Sequence, residues 1–147
     1  MIKSDDVYLF QTDTTVGLAS QNSHKLSIIK LRDEKKPFLR LFNSLDSYIK
    51  SPARVPNHFK NRVRREKKTT FVINNFAIRI SKPMVHSTII NKLNWFYSTS
   101  ANKKSSSYNK LFCHSVSDII IEDAQGLFES IPSKIYKLRA KTIKRLR

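Results

Sequence analysis

The sequence predicts an α/β domain whose sheet is mixed rather than wholly parallel. Short apolar runs rich in β-branched and aromatic residues alternate along the chain with short helical patterns. Thr69–Ile73 and Phe76–Ile80 flank Asn74-Asn75, a dipeptide that favours a hairpin turn between antiparallel strands. The chain has 147 residues, 39% of them hydrophobic. This suits a single domain over residues 1–147, with a twisted sheet and flanking helices around one core.

Local signals place the elements of the first half of the chain. A β-branched and aromatic run predicts the first strand, and Gly17 permits unusual backbone angles in the turn region that follows. Asn22 or Ser23 can cap a helix. Pro37 marks a boundary because proline disfavours helix in the residue before it. We expect a strand over residues 7–10, a turn over 12–15, a helix from 22 or 23 to 29, a strand over 38–42, a helix over 44–49 and a loop or partly helical excursion over 51–68.

The second half of the chain contains a further helical pattern. Val85, Ile89 and Leu93 recur every four residues, and Ile90 widens the apolar stripe, so a helix over 83–94 follows from core packing. Aromatic and β-branched runs then predict strands. We expect strands over residues 95–97, 118–122, 133–138 and 142–146, and a helix over 105–113.

Positive charge dominates the composition. Twenty-eight lysines and arginines face 11 acids, which gives a net charge of +17. Such an excess favours polyanions, nucleic acid above all, although a chain from a lysine-rich genome can be this basic without using the charge. The charge is concentrated in residues 60–68 and in residues 134–147. The sequence leaves open whether these runs form one patch or two. The first run contains the candidate RNA contacts Lys60, Arg62, Arg64, Arg65, Lys67 and Lys68.

Several classes of protein are disfavoured. No apolar run approaches the roughly 18 residues of a membrane span, and the N-terminus does not resemble a secretory signal, so we expect a cytoplasmic protein without a membrane partner. The single cysteine, Cys113, excludes an intrachain disulfide. The four histidines are dispersed, and nothing has the ligand spacing of a metal site.

Two short segments have the residue types of an anion-binding site. Lys30 and Arg32 are two apart, so an extended segment would point both cations the same way, and arginine offers a planar fork for phosphate or carboxylate. Ser98, Ser100 and Asn102 repeat this spacing after an aromatic strand, where α/β sheets commonly bind ligands. We expect the two segments to share one site. The alternatives are a basic surface for the first and a serine-rich linker for the second.

The order of these motifs resembles the YrdC-like family. Six segments match its signature in the same order, across nearly the whole chain. They are Thr12-Asp13-Thr14 with Gly17-Leu18, Lys30-Leu31-Arg32 with Lys36-Pro37, Thr70-Phe71-Val72-Ile73, Ala77-Ile78-Arg79-Ile80, Ser98-Thr99-Ser100-Ala101-Asn102, and Ile131-Pro132-Ser133 with the strand that follows.

The resemblance implies a twisted sheet around a cationic cavity that makes threonylcarbamoyl-adenylate from L-threonine, bicarbonate and ATP, with magnesium accompanying ATP. The product feeds a tRNA modification, so RNA or tRNA and other tRNA-modification proteins are implied partners. Threonine would lie near Thr14, and phosphates and the threonine carboxylate near three cations. The implied substrate residues are Thr14, Lys30, Arg32, Lys36, Thr70, Arg79, Ser98, Ser100, Asn102, Ser133 and, as the family's late arginine, Arg145.

Departures from the family pattern support an alternative. Gln11 and Val16 replace a usual proline and tyrosine, and Lys103 and Lys104 follow Asn102 where the family has Ser-Gly. The Pro-Gly pair before the Thr70 strand has no clear counterpart. The second hypothesis is therefore a relative with the same fold that binds RNA or nucleotide without this catalysis.

Overall fold

A computed structural model describes residues 1–49, 53–80, 91–103 and 105–147, and these residues build one nine-stranded sheet. The spatial order of the strands is β7-β1-β2-β6-β3-β5-β4-β8-β9. The strands are β1 (Tyr8–Gln11), β2 (Val16–Ser20), β3 (Leu39–Phe42), β4 (Thr69–Ile73), β5 (Phe76–Ile80), β6 (Trp95–Ser100), β7 (Ile119–Ile121), β8 (Lys134–Leu138) and β9 (Ile143–Arg145).

The sheet is mixed, which confirms the predicted fold class. β1 pairs with β7, β3 with β5, and β4 with β8 in parallel, while the other neighbouring pairs are antiparallel. The hairpin between β4 and β5 turns at Asn74 and Asn75, whose φ angles of 46° and 68° are those that a tight hairpin turn requires.

Four α-helices flank the sheet within the described residues: α1 (Ser23–Lys30), α2 (Leu45–Ile49), α3 (Lys60–Arg65) and α4 (Lys110–Val116), with a 3₁₀ turn at Asn57–Phe59 before α3. The Asn22 side chain accepts a hydrogen bond from the Lys25 amide and caps α1, as predicted. α1 ends in a Schellman-type arrangement, since Leu31 adopts φ 47° and the Arg32 amide reaches back to the Ser27 carbonyl at 3.0 Å.

The two faces of the sheet differ. One face packs against helices through two apolar clusters. The first contains Tyr48 of α2 and Val63 of α3, and the second contains Leu26 of α1 and Cys113 of α4. The other face holds a smaller core that contains Leu41 and the aromatic rings of Tyr8, Phe10 and Phe96. Beside this smaller core none of the described helices covers the sheet, and a cavity lies on this open part of the face.

The structure differs from the expected elements in three places. β2 is a strand that the sequence did not predict, and it follows directly after the turn expected over residues 12–15. Gly17 of β2 has little space beside it, since a Cβ there would lie 3.0 Å from Thr12 Cγ2 and 3.3 Å from the Thr99 carbonyl oxygen. The helix expected over 105–113 instead begins at Lys110, because Asn109 caps it by accepting from the Phe112 amide at 2.9 Å. Ser98 and Ser100 lie within β6 rather than after it.

Most of the helix expected over 83–94 lies outside the described residues. None of the described helices has the length and hydropathy needed to cross a membrane.

Candidate functional site

The cavity on the open face has a volume of about 390 Å³, at the lower end of the range for small-molecule sites. Its walls come from segments far apart in sequence, which the sheet order brings together. The lining side chains that bear hydrogen-bonding groups are Thr12, Thr14, Thr15, Arg32, Thr70, Arg79, Ser98, Thr99, Ser100, Ser133 and Arg147. Hydroxyls and guanidinium groups therefore dominate its polar surface, and no carboxylate of residues 1–49, 53–80, 91–103 or 105–147 lines it.

Arg79 anchors the base of this cavity. Its side chain is only 7% exposed, and Nη1 donates to Asp13 Oδ1 at 2.7 Å and to Thr14 Oγ1 at 3.0 Å. Nη2 donates to Thr70 Oγ1 at 3.2 Å. The second oxygen of Asp13 accepts from the Lys68 amide at 3.1 Å. The ion pair thus fixes β5 against the turn after β1 and holds two threonine hydroxyls in defined orientations.

The hydroxyls of Thr70 and Ser133 form a short series. Thr70 Oγ1 accepts from Arg79 Nη2 and lies 2.9 Å from Ser133 Oγ, a contact in which either hydroxyl can donate. Arg147 Nη2 donates to the same Ser133 oxygen at 3.5 Å. Both guanidinium groups thus donate to this series, and Ser133 lies on the cavity wall, where its hydroxyl can contact a bound ligand.

Arg32 lies at the cavity wall after the reversal at the end of α1. Nη2 donates to the Pro37 carbonyl at 2.7 Å, and the guanidinium carbon lies 4.8 Å from the centre of the Phe38 ring. Its Nε is buried without a hydrogen-bond partner. An unpartnered buried donor costs free energy, and an anionic acceptor in the cavity would offset that cost.

Lys30 is directed elsewhere. Its Nζ donates to the Ser100 carbonyl at 2.9 Å, to Asn102 Oδ1 at 2.7 Å and to the Asn102 carbonyl. The extended geometry expected for Lys30 and Arg32 is absent, because Lys30 ends a helix and Leu31 reverses the chain. Lys30 thus holds the end of β6 and the residues after it in place.

Burial shifts the pKa values of Lys30 and of Cys113, which lies nearby. It lowers the pKa of the Lys30 ammonium below its usual value, with the neighbouring Arg32 charge as a smaller contribution. It raises the pKa of the nearby Cys113 thiol, whose Sγ lies 3.3 Å from the Ala101 carbonyl oxygen. A protonated thiol in this position acts as a small core residue.

The structure brings most of the predicted substrate residues together. Thr14, Arg32, Thr70, Arg79, Ser98, Ser100 and Ser133 line the cavity. Lys30 and Asn102 lie behind the wall and are bonded to each other, and Ser100 Oγ donates to Asn102 Oδ1 at 2.7 Å. Lys36 is exposed and is not among the lining residues.

The late arginine at the cavity is Arg147, whereas Arg145 does not line it. Arg147 lines the cavity and donates from Nε to the Ser133 carbonyl at 3.1 Å. Arg145 is exposed on β9, and its Nε donates to the Arg147 carbonyl at 3.3 Å. β9 extends only to Arg145, after which Leu146 and Arg147 both bond to Ile135, as in a β-bulge, and the Arg147 side chain reaches the cavity wall.

Asp13 and Arg147 are candidate functional residues that the predicted substrate set lacks. Asp13 stands in the Thr-Asp-Thr segment, and a lone acid beside hydroxyls in so basic a chain was the available signal. Nothing local distinguishes Arg147 from Arg145. The six candidate RNA contacts of residues 60–68 lie away from the cavity lining, exposed on α3 and the turn that follows it.

The described ranges contain no group of three or more histidine, cysteine, aspartate or glutamate side chains suited to hold a metal ion. The nearest carboxylate to the cavity network, Asp13, is already engaged by Arg79 and by a backbone amide.

No known family model and no curated protein matches the sequence. Solved structures do match the fold. P. abyssi Sua5 complexed with L-threonine superposes with a TM-score of 0.78 at 15% identity, over 97% of this chain and 50% of that one. E. coli YciO gives 0.76 at 16% identity, over 99% and 84%.

A third neighbour is full-length HypF in its phosphate- and nucleotide-bound form, with a TM-score of 0.78 at 10% identity over 99% of this chain and 27% of that one. The chain spans about half the length of the Sua5 structures that it matches. These likenesses confirm the YrdC-like fold that the motif order predicted.

Proposed function

We propose that the chain is a threonylcarbamoyl-AMP synthase that condenses L-threonine, bicarbonate and ATP. The observation that carries the proposal is the convergence of Arg32, Arg79 and Arg147 with a series of hydroxyls on one cavity of this fold. Such a cavity suits a substrate that combines phosphates, a carboxylate and hydroxyl groups. The Sua5 neighbour complexed with L-threonine and the nucleotide-bound HypF neighbour support both halves of the ligand.

The proposed reaction has two balanced steps. The amine of L-threonine attacks the carbon of bicarbonate, and loss of water leaves an N-carboxylate. An oxygen of this carbamate then attacks the α-phosphorus of ATP, the bond from that phosphorus to the bridging oxygen breaks, and pyrophosphate leaves. In the second step negative charge accumulates on the departing pyrophosphate. Positioning and charge neutralisation therefore matter more than a strong base.

The cationic side chains have distinct roles in this proposal. Arg32 and Arg147 hold the phosphates, since each guanidinium lines the cavity and Arg32 has an unpartnered Nε. Arg79 is engaged by Asp13 and acts by orienting the hydroxyls of Thr14 and Thr70 toward threonine and the carbamate. Ser133 donates its hydroxyl proton to a ligand oxygen.

The wall of β6 supplies the remaining contacts. Ser98 and Ser100 face the nucleotide, while Lys30 and Asn102 hold that wall in place. The exposed Lys36 contributes at most to attraction of the triphosphate at the entrance.

Magnesium is expected to arrive with the triphosphate. The cavity lining offers it no carboxylate, so the described side chains do not form a divalent-cation site. If the product feeds a tRNA modification, tRNA-modification proteins in the cytoplasm are the proposed partners.

Pyrophosphate release tests the proposal. We expect release that requires ATP, L-threonine and bicarbonate together, that falls at least tenfold in Arg32→Ala, and that persists in Arg54→Ala, an exposed arginine away from the cavity. Product mass spectrometry identifies the adenylate.

Tight ATP binding with no release in any mixture would instead support the alternative, a nucleotide-binding relative without this catalysis. Absence of both ATP binding and release would contradict the synthase and the nucleotide-binding form of the alternative, and would leave only a relative that binds RNA.

A further inference from the structure

A second cavity lies on the opposite face of the sheet from the first. Successive side chains of a strand point to opposite faces, so Leu41 of β3 lines the first cavity while Arg40 and Phe42 line the second. β6 alternates in the same way, since its Ser98 lines the first cavity and its Trp95 the second. The second cavity has a volume of about 690 Å³, within the range of small-molecule sites. We call it the Trp95 cavity.

The Trp95 cavity lies where the two helix-covered clusters of that face meet. Phe42 and Trp95 belong to the cluster that α2 and α3 cover, whereas Tyr97 packs against the cluster that α1 and α4 cover. Gln21 Nε2 donates to the carbonyl oxygens of Leu93 and Trp95, each at 2.9 Å, and ties the end of β2 to the cavity wall. Bonds within the protein therefore hold this wall in shape.

Arg40 is the cation of this cavity. Its guanidinium carbon lies 4.7 Å from the centre of the Phe76 ring on β5 and 5.5 Å from that of the Tyr97 ring on β6, the two strands that flank β3. These rings hold the guanidinium in place, yet in the part of the chain that the structure describes no group accepts a hydrogen bond from it. Its planar fork of N–H donors is therefore free for an oxyanion, and a carboxylate matches that fork.

An aromatic wall lies beside Arg40. Phe42 and Trp95 are directly opposite in the register of β3 and β6, and their rings stack with centroids 6.4 Å apart. Trp95 is only half-buried, so part of its indole faces the cavity. A flat aromatic group packs favourably on such a surface. The Trp95 cavity thus suits a ligand that carries both an aromatic ring and a carboxylate.

Asp46 limits the charge of that ligand. It is exposed in the first turn of α2 and lines the same cavity as Arg40, without an ion pair to any residue that the structure describes. The described lining therefore carries one positive and one negative charge, although the chain as a whole carries +17. A phosphate dianion gains little from such a lining, whereas a monoanion can lie against Arg40 with its ring turned toward Trp95.

We propose that the Trp95 cavity binds a small aromatic monocarboxylate. Arg40 binds the carboxylate, and Trp95 and Phe42 pack against the ring. The ligand is either a free aromatic acid or an aromatic α-amino acid, whose ammonium group Asp46 accepts. The site is separate from the proposed synthase site, and its test requires no synthase activity.

The test uses Trp95 as its own reporter. Trp95 is the single tryptophan of the chain, so its indole N–H gives one cross-peak in a proton–nitrogen NMR spectrum. We expect phenylacetate to shift this cross-peak with a dissociation constant of about 1 mM, as suits so small a ligand. Phenylethanol, which lacks the carboxylate, and acetate, which lacks the ring, should each bind at least tenfold more weakly. Tighter binding of L-phenylalanine than of phenylacetate identifies an amino acid as the ligand, and weaker binding identifies a free acid.

Two results would overturn the proposal. One is equal affinity for phenylacetate and phenylethanol. The other is a shift of the Gly17 amide without a shift of the Trp95 indole, because Gly17 lines the first cavity and would place the probe there.

The matched variants are Arg40→Gln and Arg139→Gln, the second at an exposed arginine between β8 and β9 outside the lining. The dissociation constant for phenylacetate should rise at least tenfold in Arg40→Gln and less than twofold in Arg139→Gln. An unchanged constant in a folded Arg40→Gln, judged by its amide spectrum, would contradict the role of Arg40.

Asp46→Asn tests the cavity without removing a buried contact, because Asp46 is exposed. Loss of its negative charge should raise the affinity for phenyl phosphate relative to phenylacetate by at least threefold at low salt, since the dianion is no longer repelled. The same ratio in Asp46→Asn and in the wild-type protein would show that the probes do not bind beside Asp46 and would contradict the proposal.

Discussion

The cavity and the two basic runs, residues 60–68 and 134–147, are both rich in cations, but the charges have different surroundings. In the cavity Arg79 is buried, paired with Asp13 and bonded to two threonine hydroxyls. In the basic runs most cations are exposed, one acid lies among them, and Lys137 and Lys144 are opposed in register. Charge in a network thus fixes a geometry for a small ligand, whereas solvated charge attracts a large polyanion through its field.

The largest expected effect comes from breaking the buried pair. Arg79→Met leaves the Asp13 carboxylate without its main partner and should lower the free energy of unfolding by about 3 kcal/mol. Urea unfolding followed by the fluorescence of the single tryptophan, Trp95, measures this loss. The double variant Asp13→Asn with Arg79→Met should recover much of it, and an unchanged loss would show that the ion pair is not the cause.

Crowding at Gly17 gives the next largest effect. Gly17→Ala forces a methyl against Thr12 Cγ2 and the Thr99 carbonyl, and should cost about 1–3 kcal/mol in urea unfolding. Adding Thr12→Ser removes the closest contact and keeps the hydroxyl, so part of the stability should return. No recovery would indicate that the contact with the Thr99 carbonyl, rather than the one with Thr12, limits the space there.

Arg147 and Arg145 differ in position, and pyrophosphate release shows whether that difference matters for activity. Arg147→Ala should reduce pyrophosphate release about tenfold, equivalent to about 1.4 kcal/mol, because Arg147 lines the cavity and bonds to Ser133. Arg145→Ala should change release less than twofold, since Arg145 is exposed on β9. The reverse ranking would return the role to Arg145, as the family resemblance implies.

A surface ion pair gives the smallest effect. Lys25 and the Val7 amide both donate to Asp118 and lower the pKa of its carboxyl, so this contribution to stability is present above about pH 4 and is lost as pH falls through the lowered value. Both side chains are at least two-fifths exposed, so less than about 1 kcal/mol is involved. Asp118→Asn should flatten acid unfolding slightly, and the exposed Asp46→Asn should not. Equal curves for the two variants would contradict this assignment.

The sequence predicted those features whose causes are local. The hairpin at Asn74-Asn75 and the cap at Asn22 depend on neighbouring residues, and both are present in the structure. β2 was missed because its small residues, Gly17, Ala19 and Ser20, resemble a turn, and they are buried only because β1 and β6 flank them.

The same distinction explains the site. Residues on strands, such as Thr70 and Arg79, could be assigned to one cavity from the motif order. Lys30 could not be placed correctly because its direction depends on the αL residue Leu31, a position where glycine is the usual signal. The position of the Arg147 side chain depends on how Leu146 and Arg147 pair with Ile135 after β9, and no nearby residue type indicates that pairing.

The most direct test of the proposed ligand site measures ATP affinity by calorimetry in the wild-type protein, in Arg32→Ala and in Arg54→Ala. We expect the dissociation constant for ATP to rise at least tenfold in Arg32→Ala, whose guanidinium lines the cavity, and less than about twofold in Arg54→Ala, which lies away from it. Equal affinities in the three proteins would show that ATP does not bind in the cavity and would contradict the proposed site.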